Sequence, residues 1–324
     1  MFEELTGSGL LIHHWDTDGV CSARLLLEKL TEKKIVNKTP ELGNYFLSDE
    51  ELSAYTKYDF VMIADMALPE DQVLQIAKHA KVLIFDHHLQ PLIQGVFHQN
   101  PISKGEDPEK NPSASWIVNR YLGNMVNVYA LLGVIGDYEK RIQTNKDIYH
   151  QITTFCEQEG YTFDELLQMV YLIDSNYKMG DRKAVEDAPQ LLLGYTDAHR
   201  ILQNVRWKNN LVILEKEISK FVDASGEERN GVLIRRIHTK YNIISTVTRK
   251  IFWATGKDTV IVNTGFFKDM DQIYVRSSKN MQPLIQQGKY LGFRSGGKAE
   301  VLGAVVPKEK TEFFVQEILR FLTS

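Results

Sequence analysis

The chain reads as an α/β protein, with an N-terminal parallel-sheet domain joined by a helical linker to a smaller mixed α/β C-terminal domain. Three observations predict this. Short apolar runs alternate with helical periodicity over residues 9–136, the pattern of βαβ units. At 324 residues the chain exceeds the size at which one core stops growing, so two domains are expected. A polar break at Ala224-Ser225-Gly226-Glu227-Glu228 precedes a second group of β-rich runs.

Taken in order, strands are expected near 9–15, 59–65, 81–86 and 96–99, with helices near 19–33, 69–79, 113–123 and 126–136. Ser113 or Ser115 would cap the helix that runs from Trp116. Residues 100–112, rich in Pro, Lys, Glu and Asp, form a polar loop placed to overhang a cleft. From 146 to 225 the pattern is helical. Phe163, Leu166, Leu167, Val170 and Leu172-Ile173 make an amphipathic stripe read as core, and a charged helix covers 198–222. Beyond the break, Val232-Leu233-Ile234-Arg235, Thr259-Val260-Ile261-Val262 and Gln272-Ile273-Tyr274-Val275 read as strands, and Ile243 to Ala254 as a helix. The expected domains are 1–190, a linker at 191–228, and 229–324.

Composition narrows the class. Apolar residues make up 43% and charged residues 25%, as in soluble globular proteins. There is no internal repeat, no run of about 18 apolar residues and no secretory leader pattern, so a cytoplasmic protein with no membrane contact is expected. The two cysteines, Cys21 and Cys156, read as packing thiols in a reducing compartment. Charge is uneven: residues 229–324 carry 16 Lys or Arg against 7 Asp or Glu, net +9, whereas residues 1–228 carry 22 against 35, net −13. The basic half suits a polyanion, and the acidic half suits cations.

Four stretches carry the chemistry, each placed where an apolar run ends. They are His14-Trp15-Asp16-Thr17-Asp18-Gly19, Asp65, Asp86-His87-His88 and Asp137. Taken singly, an Asp after a strand is more often a cap or a turn former. Together they are different, because carboxylates that follow buried parallel strands converge on one rim, and that much negative charge requires cations. Oxygen and imidazole donors without thiolate point to Mn²⁺, with Mg²⁺ as the alternative. Their number exceeds what one ion needs. A two-metal site, with ions roughly 3.5–4 Å apart, hydrolysing a phosphoester or phosphoanhydride, is therefore expected.

These four stretches, in this order, resemble the motifs of the DHH phosphoesterases, which include RecJ-type single-strand exonucleases, nanoRNases and dinucleotide phosphodiesterases, and manganese pyrophosphatases. The C-terminal half extends the resemblance: Ile273-Tyr274-Val275-Arg276-Ser277-Ser278 is similar to the Arg-Ser strand of the associated C-terminal domain. Ser295-Gly296-Gly297-Lys298-Ala299, followed by Gly303-Ala304, is similar to that domain's glycine-rich loop. The resemblance implies that Asp16, Asp18, Asp65, His87 and Asp137 are metal ligands, with Asp65 the bridge and His14 a ligand or a near neighbour. His13 would point to the opposite face of the strand. It further implies that His88 contacts the scissile phosphate or transfers a proton, while Asp86 orients an imidazole. Arg276, Ser277, Arg294, Gly296, Gly297 and Lys298 would hold substrate phosphates. Lys298 stands where many members have histidine, which leaves that position a point charge without acid–base capacity.

The function expected is a manganese-dependent exonuclease on single-stranded DNA or RNA. The alternative is a nanoRNase or a cyclic or linear dinucleotide phosphodiesterase. A pyrophosphatase fits the C-terminal motifs least, and intact ligands in all four motifs argue against a non-catalytic replication scaffold. By the same resemblance, which includes small archaeal helicase-associated nucleases, a DNA helicase or another replication or repair protein is the implied partner.

Overall fold

The computed structural model describes residues 2–324, the side chain of Lys298 excepted. Contacts divide the chain into two compact units. The first runs to Tyr177 and takes in Asp181–Leu211; the second comprises Lys178–Gly180 and Val212–Ser324.

In the first unit, β1 (Gly9–His13), α1 (Thr17–Lys29), β2 (Ile35–Lys38), α2 (Asp49–Tyr55), β3 (Phe60–Ala64), α3 (Glu70–Ala77), β4 (Lys81–Phe85) and β5 (Phe97–Gln99) follow one another in chain order. All pairings are parallel, in the order β2-β1-β3-β4-β5. Strands β1 and β3 are buried at every residue, which is why they read as continuous apolar runs. The chain leaves β1 for the edge strand β2 and returns to β3, so the topological switch point lies between β1 and β3, where open α/β sheets place their ligands. Neither β2 nor α2 is expected from the sequence pattern. Half-buried Ile35-Val36-Asn37-Lys38 lacks the apolar continuity that marks the central strands.

Helices α4 (Ala114–Tyr121), α5 (Val128–Tyr138), α6 (Lys146–Glu159), α7 (Phe163–Lys178) and α8 (Arg182–Leu193) follow. Ser113 caps α4, accepting from the Trp116 amide, and Asn127 caps α5, accepting from the Ala130 amide. Residues read as a linker hold the end of α8, a 3₁₀ turn over Ala198–Gln203, and α9 (Val205–Asp223); the division between units falls at Leu211 and Val212.

The second unit adds β6 (Glu227–Arg229), β7 (Val232–Ile237), α10 (Ile244–Thr255), β8 (Thr259–Asn263), β9 (Met270–Arg276), α11 (Gln282–Tyr290), β10 (Arg294–Lys298), β11 (Val301–Pro307) and α12 (Thr311–Thr323). Its mixed sheet has the order β10-β11-β9-β8-β7-β6. Alternation along β8 supplies both faces. Val260 and Val262 join Leu284, Phe314 and Ile318 in one core, while Ile261 joins Leu214, Val247 and Ile251 in the other. No helix among the described residues is long and apolar enough to cross a membrane. Cys21 and Cys156 are buried and free.

Candidate metal centre and the glycine-bearing edge strand

The motif after β1 is shaped by local backbone needs before any ion is considered. Asp16 is the N-cap of α1, accepting from the Gly19 amide at 3.2 Å, so its carboxylate faces the rim. Gly19 is required sterically, because a Cβ there would lie 2.3 Å from the His14 carbonyl oxygen. Thr17 is tied down by Asp174 of α7, whose Oδ1 accepts from the Thr17 amide at 3.0 Å and hydroxyl at 2.7 Å.

Asp18, in the first turn of α1, is 1% exposed. The Ala114 amide donates to its Oδ2 at 2.7 Å and the Ser115 amide to its Oδ1 at 2.9 Å. These amides open α4, where unpaired N–H groups and the helix dipole favour an anion. Helix α5 approaches so closely that a Cβ on Gly133 would lie 2.0 Å from Ser115 Oγ and 2.2 Å from Asp18 Oδ1.

Asp65, just past β3, takes a left-handed backbone with φ of 58°, a conformation that Asp tolerates better than most residues. Its amide donates to the Phe85 carbonyl at 2.9 Å, and its buried carboxylate looks two ways. Oδ2 lies 3.6 Å from His14 Nδ1, and Oδ1 lies 3.4 Å from His87 Nε2. On one side, His14 Nδ1 is 2.8 Å from Asp16 Oδ1; on the other, His87 Nε2 is 3.3 Å from Asp137 Oδ2 and 4.0 Å from Asp18 Oδ2. Asp16, Asp65 and His14 thus form one donor set with atoms within 4.8 Å of one another, Asp18, His87 and Asp137 form a second, and Asp65, His87 and His88 form a third that overlaps both. Asp137 is not at a strand end: it sits on the last turn of α5, and a helix delivers it to the rim.

His88 is 36% exposed, and its Nδ1 lies 2.8 Å from Asp86 Oδ1 and 3.9 Å from Asp65 Oδ1. Buried Asp86 also accepts from Gln90 at 2.5 Å, and Asn100 holds the His88 carbonyl at 2.8 Å. The imidazole that Asp86 orients is therefore that of His88. Burial opposes the Asp86 charge, but the adjacent His88 and His87 more than offset it and hold the carboxyl below its usual range. His13 is fully buried, its Nδ1 2.7 Å from the His14 carbonyl oxygen.

The carboxylates of this rim crowd one another. Burial, then Asp137 and Asp16, push Asp18 up to about 7, despite the hydrogen bonds from Ser115. Burial, then Asp18, Asp16, Asp137 and Asp86, push Asp65 well above the carboxylate range. For Asp16, burial also works against ionisation, yet His14 and the hydrogen bonds outweigh it and the pKa falls. Carboxylates gathered into a buried basin would have to protonate or be neutralised by cations. Asp and His donors without thiolate suit Mn²⁺ or Mg²⁺, so the residues fit the divalent ions expected from the sequence.

The phosphate-holding candidates of the second unit are grouped by strand register. Val301 of β11 pairs with Arg276 on one side and with Lys298 on the other, so these three positions form a row across adjacent strands. Arg276 ends β9 and is 7% exposed; the Ser277 hydroxyl accepts from the Lys279 amide at 3.0 Å. The glycine-rich segment is not a loop. Gly296 and Gly297 lie in edge strand β10, with Arg294 at its start, and the turn falls at Ala299-Glu300. Gly297 has φ of 147° and passes so near the Val301 carbonyl that a Cβ would lie 2.0 Å from it. The side chain of Lys298 lies outside the described residues.

Asp174, the Ala114 and Ser115 amides, Gly133 and Gln90 support the site without having been expected from the sequence. The Gly in the apolar run that ends in Asp137 was a usable signal, since Gly inside a helix marks close approach. Asp174 carried none, lying in an amphipathic stripe like any polar residue.

No family model matches the chain, and no curated protein matches it in sequence. Solved structures match it in fold. RecJ from Thermus thermophilus in complex with Mn²⁺ superposes on 98% of this chain with a TM-score of 0.70 at 15% identity, and the chain spans 52% of that protein. An exonuclease RecJ bound to manganese gives 0.68 and 16% identity, covering 99% of this chain and 92% of the other. The DHH domain of a protein assigned to a family of ribosomal proteins gives 0.70 and 15%, covering 100% and 88%. The pGpG-specific phosphodiesterase PggH from Vibrio cholerae gives 0.50 and 14%, covering 97% and 98%. The chain has the fold of the DHH-domain proteins, RecJ among them.

Proposed function

We propose that this protein is a metal-dependent phosphodiesterase of the DHH family that acts as an exonuclease on single-stranded nucleic acid. The carrying observation is Asp65, whose two oxygens face His14 with Asp16 on one side and His87 with Asp137 on the other. Two donor sets, one containing Asp65 and the other reached from its second oxygen through His87 at 3.4 Å, suit two divalent cations, of which manganese is the proposed pair. When bound, such ions stabilise charge on phosphate oxygens and acidify water.

The chain's own groups set the geometry. The α4 amides fix Asp18, Asp174 fixes Thr17 between the two ligand aspartates, and the left-handed turn at Asp65 aims that carboxylate inward. His88, oriented by Asp86 and more exposed than His87, is the group to contact the scissile phosphate or to carry a proton. Arg276, Ser277, Arg294, Lys298 and the Gly296-Gly297 backbone on the second unit would hold substrate phosphates. The nuclease reading is supported by the likeness to exonuclease RecJ, and a dinucleotide phosphodiesterase by the weaker likeness to PggH.

Labelled DNA and RNA oligonucleotides of graded length, incubated with Mn²⁺, test this reading. We expect stepwise loss of nucleotides from one end, abolished in Asp65→Ala and His87→Ala. Cleavage confined to dinucleotides selects the alternative, and full manganese-dependent activity in either variant contradicts the ligand assignment.

A further inference from the structure

We propose that Trp253, with Arg249 and Arg276, forms a platform on which a base of the single-stranded substrate stacks. The proposal rests on the nucleic-acid reading above and adds a base-binding position to it. Helix α10 turns Ile244, Val247 and Ile251 into the core against Ile237 and Ile261. Its outer side carries Arg249, Lys250 and Trp253. Trp253 is 48% exposed, whereas Trp15, Trp116 and Trp207 are 5%, 5% and 2% exposed. A tryptophan left half in water gains little from burial.

Its surroundings are specific. The Arg249 guanidinium, one helical turn earlier, lies 5.3 Å from the indole centroid, and that of Arg276 lies 5.6 Å away. Arg276 also lies 6.0 Å from the Phe252 ring. The residue at the end of the Arg-Ser strand is therefore held against the aromatic that stands exposed beside it. Covering Arg276 would by itself account for the buried part of the indole and leaves its exposed part without a purpose. Single-strand binding sites combine these two elements, an aromatic face for any base and cations for the adjoining phosphates. Such a platform accepts bases without hydrogen-bond readout, so it predicts low sequence preference.

All four tryptophans fluoresce, and Trp15 lies beside His14 at the metal site, so the signal of Trp253 is the difference between the wild type and Trp253→Phe. The 324-residue chain is titrated with a single-stranded oligothymidylate in chelator, so that binding is read without hydrolysis, and with an abasic oligomer of the same length. Quenching of the exposed tryptophan by the first and not by the second is expected, with affinity falling as salt rises. By anisotropy, Trp253→Leu binds roughly five- to hundredfold more weakly, and Trp253→Phe, which keeps an aromatic face, stays within about threefold. Unchanged affinity in Trp253→Leu, or saturation of the wild type with no quenching, overturns the platform and leaves the indole to a protein-facing role. Quenching that persists in a protein unable to hydrolyse any oligonucleotide would sink the enzyme reading while the platform stands.

Discussion

Replacing Gly133 with Ala tests whether the second donor set is held by packing. In an exposed helix interior this change stabilises by about 1 kcal/mol. Here the new methyl would lie 2.0 Å from Ser115 Oγ and 2.2 Å from Asp18 Oδ1, well inside contact distance. Overpacking of this kind costs about 1–3 kcal/mol, so the helix-propensity gain is cancelled or reversed. The relief open to the molecule is to shift α5, α4 or Asp18. Each shift disturbs either Asp137 on α5 or the two amide bonds that orient Asp18, and disturbing an orienting contact costs about 10- to 100-fold in metal affinity or activity. Thermal unfolding with and without Mn²⁺ reads both effects. Gly133→Ala should show no gain in metal-free stability and a smaller manganese-induced rise in Tm. Gly136→Ala, whose Cβ would meet Thr17 Cβ at 3.2 Å, should be milder. Gly133→Ala that is more stable than wild type and keeps the full manganese response would refute the close approach.

Other perturbations bear on separate parts of the site. Asp18 and Asp65 have folded-state pKa values raised by burial and neighbouring carboxylates, Asp18 to about 7. Between about pH 4 and 7 the unfolded chain has lost protons that the folded, metal-free protein keeps, so metal-free stability should fall as pH rises through that window. Saturating Mn²⁺ should flatten the slope, which denaturant midpoints across the range would show. Asp86→Asn removes the carboxylate beside His88 Nδ1 and should lower turnover about 10- to 100-fold with near-normal Tm; turnover equal to wild type would free His88 of its assigned role. Asp174→Ala leaves the buried Thr17 amide without its acceptor, at a cost of about 1–3 kcal/mol, and should lower both Tm and manganese affinity. Arg276→Ala should raise KM on oligonucleotides with a smaller effect on kcat.

The central strands were legible because β1, β3 and β4 are buried on both faces and appear as apolar runs that each end in an acidic group. Asp16, Asp65 and His87 could be placed for the same reason. Strand β2 has no such pattern, and α12 was left unassigned although Phe314, Val315, Ile318, Leu319 and Leu322 repeat at helical spacing. The glycine pair at 296–297 suggested a loop, yet it lies in β10, where Gly297 passes the Val301 carbonyl in a conformation that a side chain would not allow. What sequence could not convey was support at a distance. Asp174 lies 157 positions from Thr17, and the amides that hold Asp18 are backbone groups, which any residue type could supply.

Anomalous diffraction at the manganese edge, from crystals grown with Mn²⁺, tests the two-ion assignment most directly. Two peaks about 3.5–4 Å apart, flanking Asp65 with Asp16 and His14 on one side and Asp18, His87 and Asp137 on the other, are the predicted result. A map with no peak at Asp65, or with manganese bound only elsewhere, would contradict it.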